Sequence, residues 1–324
     1  MTKSNKNQMF KATYLISSIQ EYIDVLKDIK KIEADEELWY RGHNDCTWKL
    51  LPNIMRNVKV IDDGRGNRVQ PHDLGYISNG QTIAFPNWES DIPKVKDLAS
   101  KKGYATDNNL ELLAFAQHYN MLTPLIDWSE DPLVAMFFAM HGLKDCKVQY
   151  GETFGYNNYK ERLEFFKKNG QLLDSASILV MNPAKANKYS PILQKNIFTS
   201  KSFGNEVIKK LLGYENCSWV CFKIPKVGYR ISRQSGDFLL QGKDIQMRAD
   251  NNAYCTPKIM YKLYIPYENV RSIQEELHAL GLTKEAMYGE YDEDEQFIIK
   301  LGKQQRKKYE NAISQMKIET ENIK

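Results

Sequence analysis

Cysteine is scarce in this sequence and does not occur in disulfide or metal-binding patterns. The five cysteines are an odd number and include no CxxC pair, which argues against a disulfide framework and against a structural zinc site. The sequence also has no HExxH motif and no carboxylate cluster suited to two metal ions. We therefore predict that the protein binds no metal, and a metal-dependent nuclease is disfavoured.

Long apolar runs and a strong charge of either sign are absent too. No apolar stretch approaches the length of a membrane span, and the first residues contain no apolar segment followed by small residues. We expect no membrane partner and no signal peptide. The net charge of +4 over 324 residues does not by itself indicate nucleic acid. These absences predict a cytoplasmic protein with reduced thiols.

The sequence does contain helix and strand patterns that together predict an α+β fold. Apolar residues at helical spacing predict a helix over residues 19–32, and an aromatic-rich strand that stops at Gly42 follows it. Further strand patterns lie at residues 175–181, 217–224, 238–240 and 260–265, and short helical patterns at 159–169 and 206–212. We predict a mixed, strand-rich core with flanking helices and a C-terminal helical tail.

We predict one domain over residues 1–300 and a basic helical tail over residues 301–324. Residues 60–109 are polar, rich in turn signals and without a sustained period. We expect an irregular excursion there, either partly ordered in short elements, partly mobile, or functional as a lid or recognition surface. Residues 268–287 mimic a helix-turn-helix, but the acidic residues that crowd them make contact with DNA phosphates unfavourable.

A first candidate site lies at Tyr40-Arg41-Gly42, where the early strand ends. Gly42 lets a backbone or a ligand come close, and the guanidinium of Arg41 fits a phosphate, pyrophosphate or carboxylate through paired hydrogen bonds. A structural ion pair with Asp127 explains Arg41 equally well. His43 adds an imidazole that the fold can bring alongside Arg41.

A second candidate site is a polar loop that directly precedes a charge-free run at residues 132–140. Asp131 fits an N-cap and Pro132 the first helical position, and the residues that follow are apolar on every face. We predict a helix that is buried throughout. Its N-terminal amide groups favour an anion nearby.

Four side chains of that loop are candidates for binding or catalysis. Asp127 can orient Arg41 or His118. His118 can act as a general base or bind a ribose hydroxyl, and a structural role is at least as good an explanation. Trp128 is more often a core residue than a stacking platform. Ser129 is better explained by a role in the helix cap than as a nucleophile, because no GxSxG sequence surrounds it.

A third candidate site is Gln234-Ser235-Gly236-Asp237-Phe238, where a polar residue and a permissive glycine lead into a strand. Gln234 cannot act as an acid or a base. It can only orient a ligand or an attacking group through hydrogen bonds.

These motifs, taken in order, resemble the FRG domain family, which takes its name from an aromatic-Arg-Gly motif. The resemblance extends from about residue 38 to residue 300 and is strongest in the central loop. It rests on residues 40–42, 117–119, 125–129, 132–139 and 234–238. Where the family usually has an arginine after the threonine of this loop, the chain has Pro124.

The order of these motifs is in turn similar to that of ADP-ribosyltransferases. The resemblance implies an ADP-ribosyltransferase-like fold that binds NAD as a substrate and transfers ADP-ribose to a protein or nucleic-acid acceptor. It implies a toxin or phage-defence effector, restrained by an antitoxin or inhibitor protein. The catalytic residues implied are Arg41, His118 and Gln234, and the NAD-binding residues are Tyr40, Gly42, His43, Asp127, Trp128 and Ser129.

Gln234 leaves an alternative open, because ADP-ribosyltransferases usually have glutamate at this third motif. The alternative is a non-catalytic recognition module that binds a nucleotide or RNA through Arg41 and Asp127. Geometry separates the two hypotheses. An enzyme requires Arg41, Ser129 and Gln234 to converge on one cleft that can hold a dinucleotide.

Overall fold

A computed structural model describes most of the chain, and every statement below refers to the described residues. These are residues 2–4, 10–48, 50–56, 59–61, 74–78, 82–86, 89–143, 158–188, 198–202, 219–226, 229–241, 259–290 and 292–321. The helix predicted at residues 206–212 lies outside them.

The described residues form twelve strands and ten α-helices. The strands are β1 (Thr2–Ser4), β2 (Ala12–Leu15), β3 (Trp39–His43), β4 (Lys59–Ile61), β5 (Leu74–Ser78), β6 (Thr82–Pro86), β7 (Leu125–Ser129), β8 (Ser175–Met181), β9 (Phe198–Thr199), β10 (Trp219–Lys223), β11 (Gly236–Gln241) and β12 (Met260–Pro266). The helices are α1 (Ile19–Ile32), α2 (Ile92–Lys101), α3 (Asn109–His118), α4 (Pro132–Met140), α5 (Tyr159–Asn169), α6 (Pro183–Lys188), α7 (Tyr229–Arg233), α8 (Val270–Ala279), α9 (Lys284–Tyr288) and α10 (Glu293–Glu321).

The main sheet is mixed, as the sequence predicts. In the described part of the chain its nine strands lie in the order β1-β2-β12-β8-β3-β7-β11-β10-β9. Neighbours are antiparallel except for two parallel pairs, β2 with β12 and β9 with β10. Helices cover this sheet, so the fold is α+β and the predicted class is confirmed.

Local capping explains where the helices nearest the site begin. The side chain of Asn108 accepts hydrogen bonds from the amides of Leu110 and Glu111 at the start of α3. At the start of α4, Asp131 accepts from the amide of Leu133 at 2.8 Å and from that of Val134 at 3.4 Å. Each cap satisfies amide groups that a helix leaves without an internal partner.

Two helices cover neighbouring parts of one face of the sheet. α4 packs on the β3 and β8 side, where its apolar residues meet Tyr40, Ile178 and Val180. α3 packs on the β7, β11 and β10 side, against Leu125 and Phe238 among others. The opposite face has its own core, which contains the indole rings of Trp39 and Trp128. The site described below lies where α3 and α4 separate.

The excursion at residues 60–109 is more ordered than an irregular segment. β4, β6 and β5 form a second, three-stranded antiparallel sheet. Residues 92–101 form the helix α2, which packs on α3 through Val95, Leu98 and Ala99. Of the three alternatives, partial order in short elements is the one that the described residues here show, and the longest of these elements is α2. Its apolar positions are few, and the surrounding turn residues hide the helical spacing.

The predicted boundary at residue 300 lies inside α10. This helix starts at Glu293, and its residues Ile298, Leu301, Gln305, Ala312 and Ile313 are buried. The helix therefore packs on the rest of the domain as far as Ile313. None of the described helices has the length and apolar content needed to cross a membrane.

Candidate functional site

The site begins where the main sheet splits. Only one residue pair, Tyr40 with Ser129, joins β3 to β7 within the described residues. Beyond this pair the two strands separate, and the side chain of Arg41 lies in the gap. Both strands keep their other neighbours, β8 and β11. The split therefore creates an opening inside the sheet.

Gly42 allows α4 to pack directly on β3. A Cβ atom at this position would lie 2.1 Å from the carbonyl oxygen of Ala135 and 2.4 Å from the amide nitrogen of Ala139. Both contacts are with helix backbone, which cannot move aside. The glycine of the Tyr40-Arg41-Gly42 motif is thus required for helix packing, and the backbone that closely approaches Gly42 is that of α4.

A cavity of about 270 Å³ opens at the split, and we call it the smaller cavity. Residues from all three predicted motifs line it, so Arg41, Ser129 and Gln234 converge on one cleft. The lining residues are Tyr40, Arg41, Gly42, Asn44, Gln117, His118, Asn120, Asp127, Trp128, Ser129, Ala135, Phe138, Arg230, Gln234, Gly236 and Tyr288.

Arg41 and Asp127 form an ion pair at the mouth of this cavity. The Nη1 atom of Arg41 donates to Oδ2 of Asp127 at 2.9 Å and also to the main-chain oxygen of Asp127. Gln117 donates to the other carboxylate oxygen and accepts from the hydroxyl of Thr123. The structural ion pair considered for Arg41 is therefore present, and half of the Asp127 side chain remains exposed.

The ion pair keeps Asp127 ionised. Burial favours the neutral acid, but the charge of Arg41 and the hydrogen bond from Gln117 outweigh it, so the pKa of Asp127 is lowered below its usual value. Among the described residues, Asp127 is the only carboxylate that lines the smaller cavity.

His118 lies at the end of α3 and lines the same cavity as the ion pair. Its ring packs edge-on against Phe238, with the ring centroids 5.7 Å apart, and Nε2 makes no hydrogen bond within the described residues. Burial lowers the pKa of His118 to about 4. The ring is therefore neutral near pH 7, which makes it a weak base but leaves a nitrogen able to take part in a hydrogen bond.

Ser129 has a structural role. Its hydroxyl donates to the main-chain oxygen of Gln234 at 2.8 Å and accepts from the amide of Asp131 at 3.0 Å. Both bonds tie the loop before β11 to the start of α4. The Gln234 side chain donates to the main-chain oxygen of Met287 at 3.1 Å. These bonds hold the second and third motifs together.

Two residues predicted to bind the nucleotide face elsewhere. His43 is buried and lines no described cavity; instead its Nε2 accepts a hydrogen bond from Nε of Arg41 at 3.1 Å. The indole of Trp128 is packed in the core on the other face of the sheet, because side chains alternate along β7. His43 therefore positions Arg41, and Trp128 contributes only the wall of the cleft.

The N-terminus of α4 is not an anion site. Asp131 occupies its first amides, as predicted, and a second negative charge there would be repelled. The prediction that α4 is buried throughout is also wrong in part, because Phe138 is only partly buried and lines the smaller cavity. The cations near the cavity, not helix amides, are the groups available to an anion.

Arg230 is one such cation that the sequence did not single out as a site residue. Its guanidinium is buried, donates to the main-chain oxygens of Tyr288 and His118, and lies 4.7 Å from the centroid of the Tyr288 ring. Together with Phe138, Tyr288 gives the cavity an aromatic wall. The tyrosine comes from α9, far along the chain, so no local signal reveals it.

A second cavity, of about 800 Å³, shares Arg41, Gln117, Asn120 and Asp127 with the first, and we call it the larger cavity. Its remaining walls come from residues 53–56, from Leu122 and Leu125, and from α10. The two cavities therefore adjoin each other, with the Arg41 and Asp127 pair between them.

A carboxylate cluster lies outside the cleft. Oxygens of Glu37, Glu130 and Asp237 come within 4.8 Å of one another. Lys223 contacts Glu37 and Glu130, and Lys226 contacts Asp237 at 2.8 Å. The sequence did not predict this group, because its members come from three separate segments. The two lysine charges offset two of its three carboxylates.

The fold and the cleft define an α+β protein with arginine side chains at a split in its sheet. Residues 36–147 match the model of the FRG domain, so this part of the chain is an FRG domain. The match contains the first two motifs and ends before Gln234. Comparisons with curated proteins and with solved structures gave no match.

Proposed function

We propose that this protein is an ADP-ribosyltransferase-like effector that binds NAD in the cleft and transfers ADP-ribose to a macromolecule. One observation carries the proposal: Arg41, Ser129 and Gln234, which come from three distant segments, line the same cavity. The larger cavity adjoins it at Arg41 and Asp127, and the two together offer room for a dinucleotide.

The reaction places specific demands on the cleft. The bond between C1′ of the ribose and the nicotinamide nitrogen breaks, and its electron pair leaves with nicotinamide. The acceptor then forms a bond to C1′ and releases a proton to solvent. Positive charge develops on the ribose in the transition state, so a fixed negative group beside it lowers the barrier.

Asp127 is the residue suited to that task. It is ionised, faces the cleft, and is held by Arg41 and Gln117, so it needs no rearrangement when charge develops. Because the third motif supplies Gln234 in place of a glutamate, we assign the stabilising carboxylate to Asp127. Gln234 then orients the ribose or the acceptor through its amide.

The cations and the aromatic wall bind different parts of the remaining ligand. Arg41 and Arg230 offer guanidinium groups to the phosphate on the nicotinamide side of the pyrophosphate. Phe138 and Tyr288 offer flat apolar surfaces to the nicotinamide ring. His118 has a pKa of about 4 and is neutral at pH 7. It therefore orients the acceptor by a hydrogen bond but does not keep a proton taken from the acceptor.

The experiment is to incubate the purified protein with labelled NAD and a cell extract, and to follow the label into macromolecules. We expect transfer by the wild type and its loss in Arg41→Ala and Gln234→Ala. Arg271→Ala is the matched control, because Arg271 is exposed on α8 and pairs only with Glu275. Equal transfer by all four proteins would contradict the proposal.

The proposed role as a cytoplasmic toxin or phage-defence effector, held in check by an antitoxin or inhibitor protein, is tested separately. We expect expression of the wild type to arrest growth of its host cells, and expression of Arg41→Ala to have no effect on growth.

A second candidate is a recognition module that binds a nucleotide or RNA without turnover. The amide of Gln234 favours it, because this residue is bonded to Met287 and carries no charge. In that case the protein binds NAD or RNA but releases no nicotinamide, and binding still requires Arg41. Nicotinamide release therefore separates the two functions.

A further inference from the structure

Helix α10 lies outside the FRG match and forms one wall of the larger cavity. Its position is fixed by Gln305, whose side chain accepts from the amide of Leu122 at 2.9 Å and donates to the carbonyl of Leu122 at 3.2 Å. Ile298 and Leu301 of the same helix are buried in the core that α2 and α3 form. The wall is therefore a rigid part of the protein.

Gly302 brings this helix close to the cleft. A Cβ atom at Gly302 would lie 2.7 Å from the main-chain oxygen of Asn120, so only glycine permits the contact without a shift. One turn further on, Nη2 of Arg306 donates to the same oxygen at 3.1 Å. Arg306 is thereby held at the edge of the larger cavity.

Positive charge exceeds negative charge around this cavity. Arg41, Arg56 and Arg306 line it, and they face only two carboxylates, Asp127 and Glu310. Partial burial and the nearby charge of Arg41 lower the pKa of Arg56. Asp127 is already paired with Arg41. An anion beside Arg56 would relieve its repulsion by Arg41.

The same cavity also has apolar and aromatic walls. Ile54, Leu122, Leu125 and Ile313 supply the apolar surface, and Tyr309 supplies a ring. Guanidinium groups beside flat apolar walls fit a ligand that joins a phosphate to a planar heterocycle. The smaller cavity is below the size of about 300 to 1,000 Å³ that is usual for ligand sites, whereas the larger lies within it.

We propose that the larger cavity binds the adenosine monophosphate half of NAD, with the base against Tyr309 and Ile313 and the phosphate between Arg56 and Arg306. This inference rests on the proposed function for the identity of the dinucleotide. It makes α10 part of the substrate site, and it assigns part of the specificity for the nucleotide to residues beyond the matched domain.

The test is a calorimetric titration with adenosine monophosphate, and then with NAD in its presence. We expect wild type to bind adenosine monophosphate, and Arg306→Ala to weaken this binding about tenfold, the loss of one charge-assisted hydrogen bond. Lys307→Ala is the control, since Lys307 is exposed on the same helix and lines neither cavity. Ile313→Trp fills the cavity while keeping both arginines, and we expect it to block binding.

The outcomes separate this inference from the proposed function. Binding of adenosine monophosphate that depends on Arg306 and competes with NAD, in a protein that consumes no NAD, supports the inference and contradicts the transferase. Consumption of NAD with no binding of adenosine monophosphate, or with equal binding by the Arg306 and Lys307 variants, overturns the inference. Simultaneous binding of both ligands also overturns it, because the cavity would then serve a separate nucleotide.

Discussion

The guanidinium of Arg41 reaches across the split in the sheet and holds Asp127 by both its main-chain oxygen and its carboxylate. The ion pair uses Nη1, and the bond to His43 uses Nε. Nη2 makes no hydrogen bond within the described residues, which leaves one edge of the guanidinium for an anion. The structural and the ligand-binding interpretations of Arg41 are therefore compatible.

Replacing Arg41 separates its charge from its geometry. Arg41→Lys keeps the charge but cannot bind Asp127, His43 and an anion together, so we expect NAD affinity to fall about tenfold or more. Arg41→Ala should lose binding and also about 1–3 kcal/mol of stability, because Asp127 and His43 lose their partner. Calorimetry and urea unfolding measure the two effects. Wild-type affinity in the lysine variant would contradict the role of the guanidinium fork.

Asp127→Asn tests the assigned carboxylate. Asparagine has the same shape and can still accept from Arg41, so we expect the fold and NAD binding to persist. The rate of ADP-ribose transfer should fall by about 10²-fold or more, since the charge opposite the developing positive ribose is lost. Single-turnover kinetics with saturating NAD provide the measurement. Transfer at the wild-type rate would remove Asp127 from the mechanism.

Ser129→Ala should lower stability and leave the rate of transfer nearly unchanged, because the hydroxyl of Ser129 is structural. The variant loses the bonds to Gln234 and Asp131, so we expect a loss of about 1–2 kcal/mol in the free energy of unfolding. Transfer should stay within a few-fold of wild type at a temperature where the variant is folded. A covalent adduct on Ser129, or complete loss of transfer in a folded variant, would restore its interpretation as a nucleophile.

The sequence predicted the elements near the site well, because their signals are local. The periodicity of residues 19–32 and the Asp131-Pro132 start of α4 both correspond to what the fold shows. Gly42 was recognised as a close-approach position. These features depend on neighbours a few residues away, so the sequence contains the information that sets them.

The contacts that complete the cleft come from distant segments and could not be predicted. Nothing near Tyr288 or Arg306 in the sequence indicates that α9 and α10 pack beside residues 117–127. His43 follows Arg41 closely and was expected to face the ligand. Arg41 and His43 share one face of β3, because side chains alternate along a strand. The gap between β3 and β7 decides that Arg41 reaches the cleft and His43 does not. Tertiary packing settles such questions, and a local pattern does not.

Gly42→Ala should be among the most destabilising substitutions in the chain. The added methyl would overlap the backbone of α4 at Ala135 and Ala139, which we expect to cost about 3 kcal/mol or more as the helix is pushed away. Gly236→Ala is the matched control, because a Cβ there makes ordinary van der Waals contacts, with the His118 ring at 3.6 Å and the main-chain oxygen of Ile231 at 3.9 Å. Thermal unfolding should show a large decrease in Tm for the first variant and little change for the second. Similar Tm values would contradict the close helix contact.

Asp237 should make stability depend on pH above the usual acid range. Burial, outweighing the charge of Lys226, raises the pKa of Asp237 from 3.8 to about 7, and the carboxyl of Glu130 adds to the rise. The folded state binds this proton more tightly than the unfolded state. The stabilisation is thus complete below pH 3.8 and is lost as pH rises through about 7. The pKa of Glu130 is lowered, so Glu130 loses its contribution to stability only as the pH falls to more acidic values. We expect wild type to lose stability between about pH 4 and about pH 7, and Asp237→Asn to lose less, because an amide does not titrate. Urea unfolding across that range measures it, with Asp24→Asn as a control on the exposed face of α1. Parallel pH profiles for wild type and Asp237→Asn would show that Asp237 does not titrate in this window.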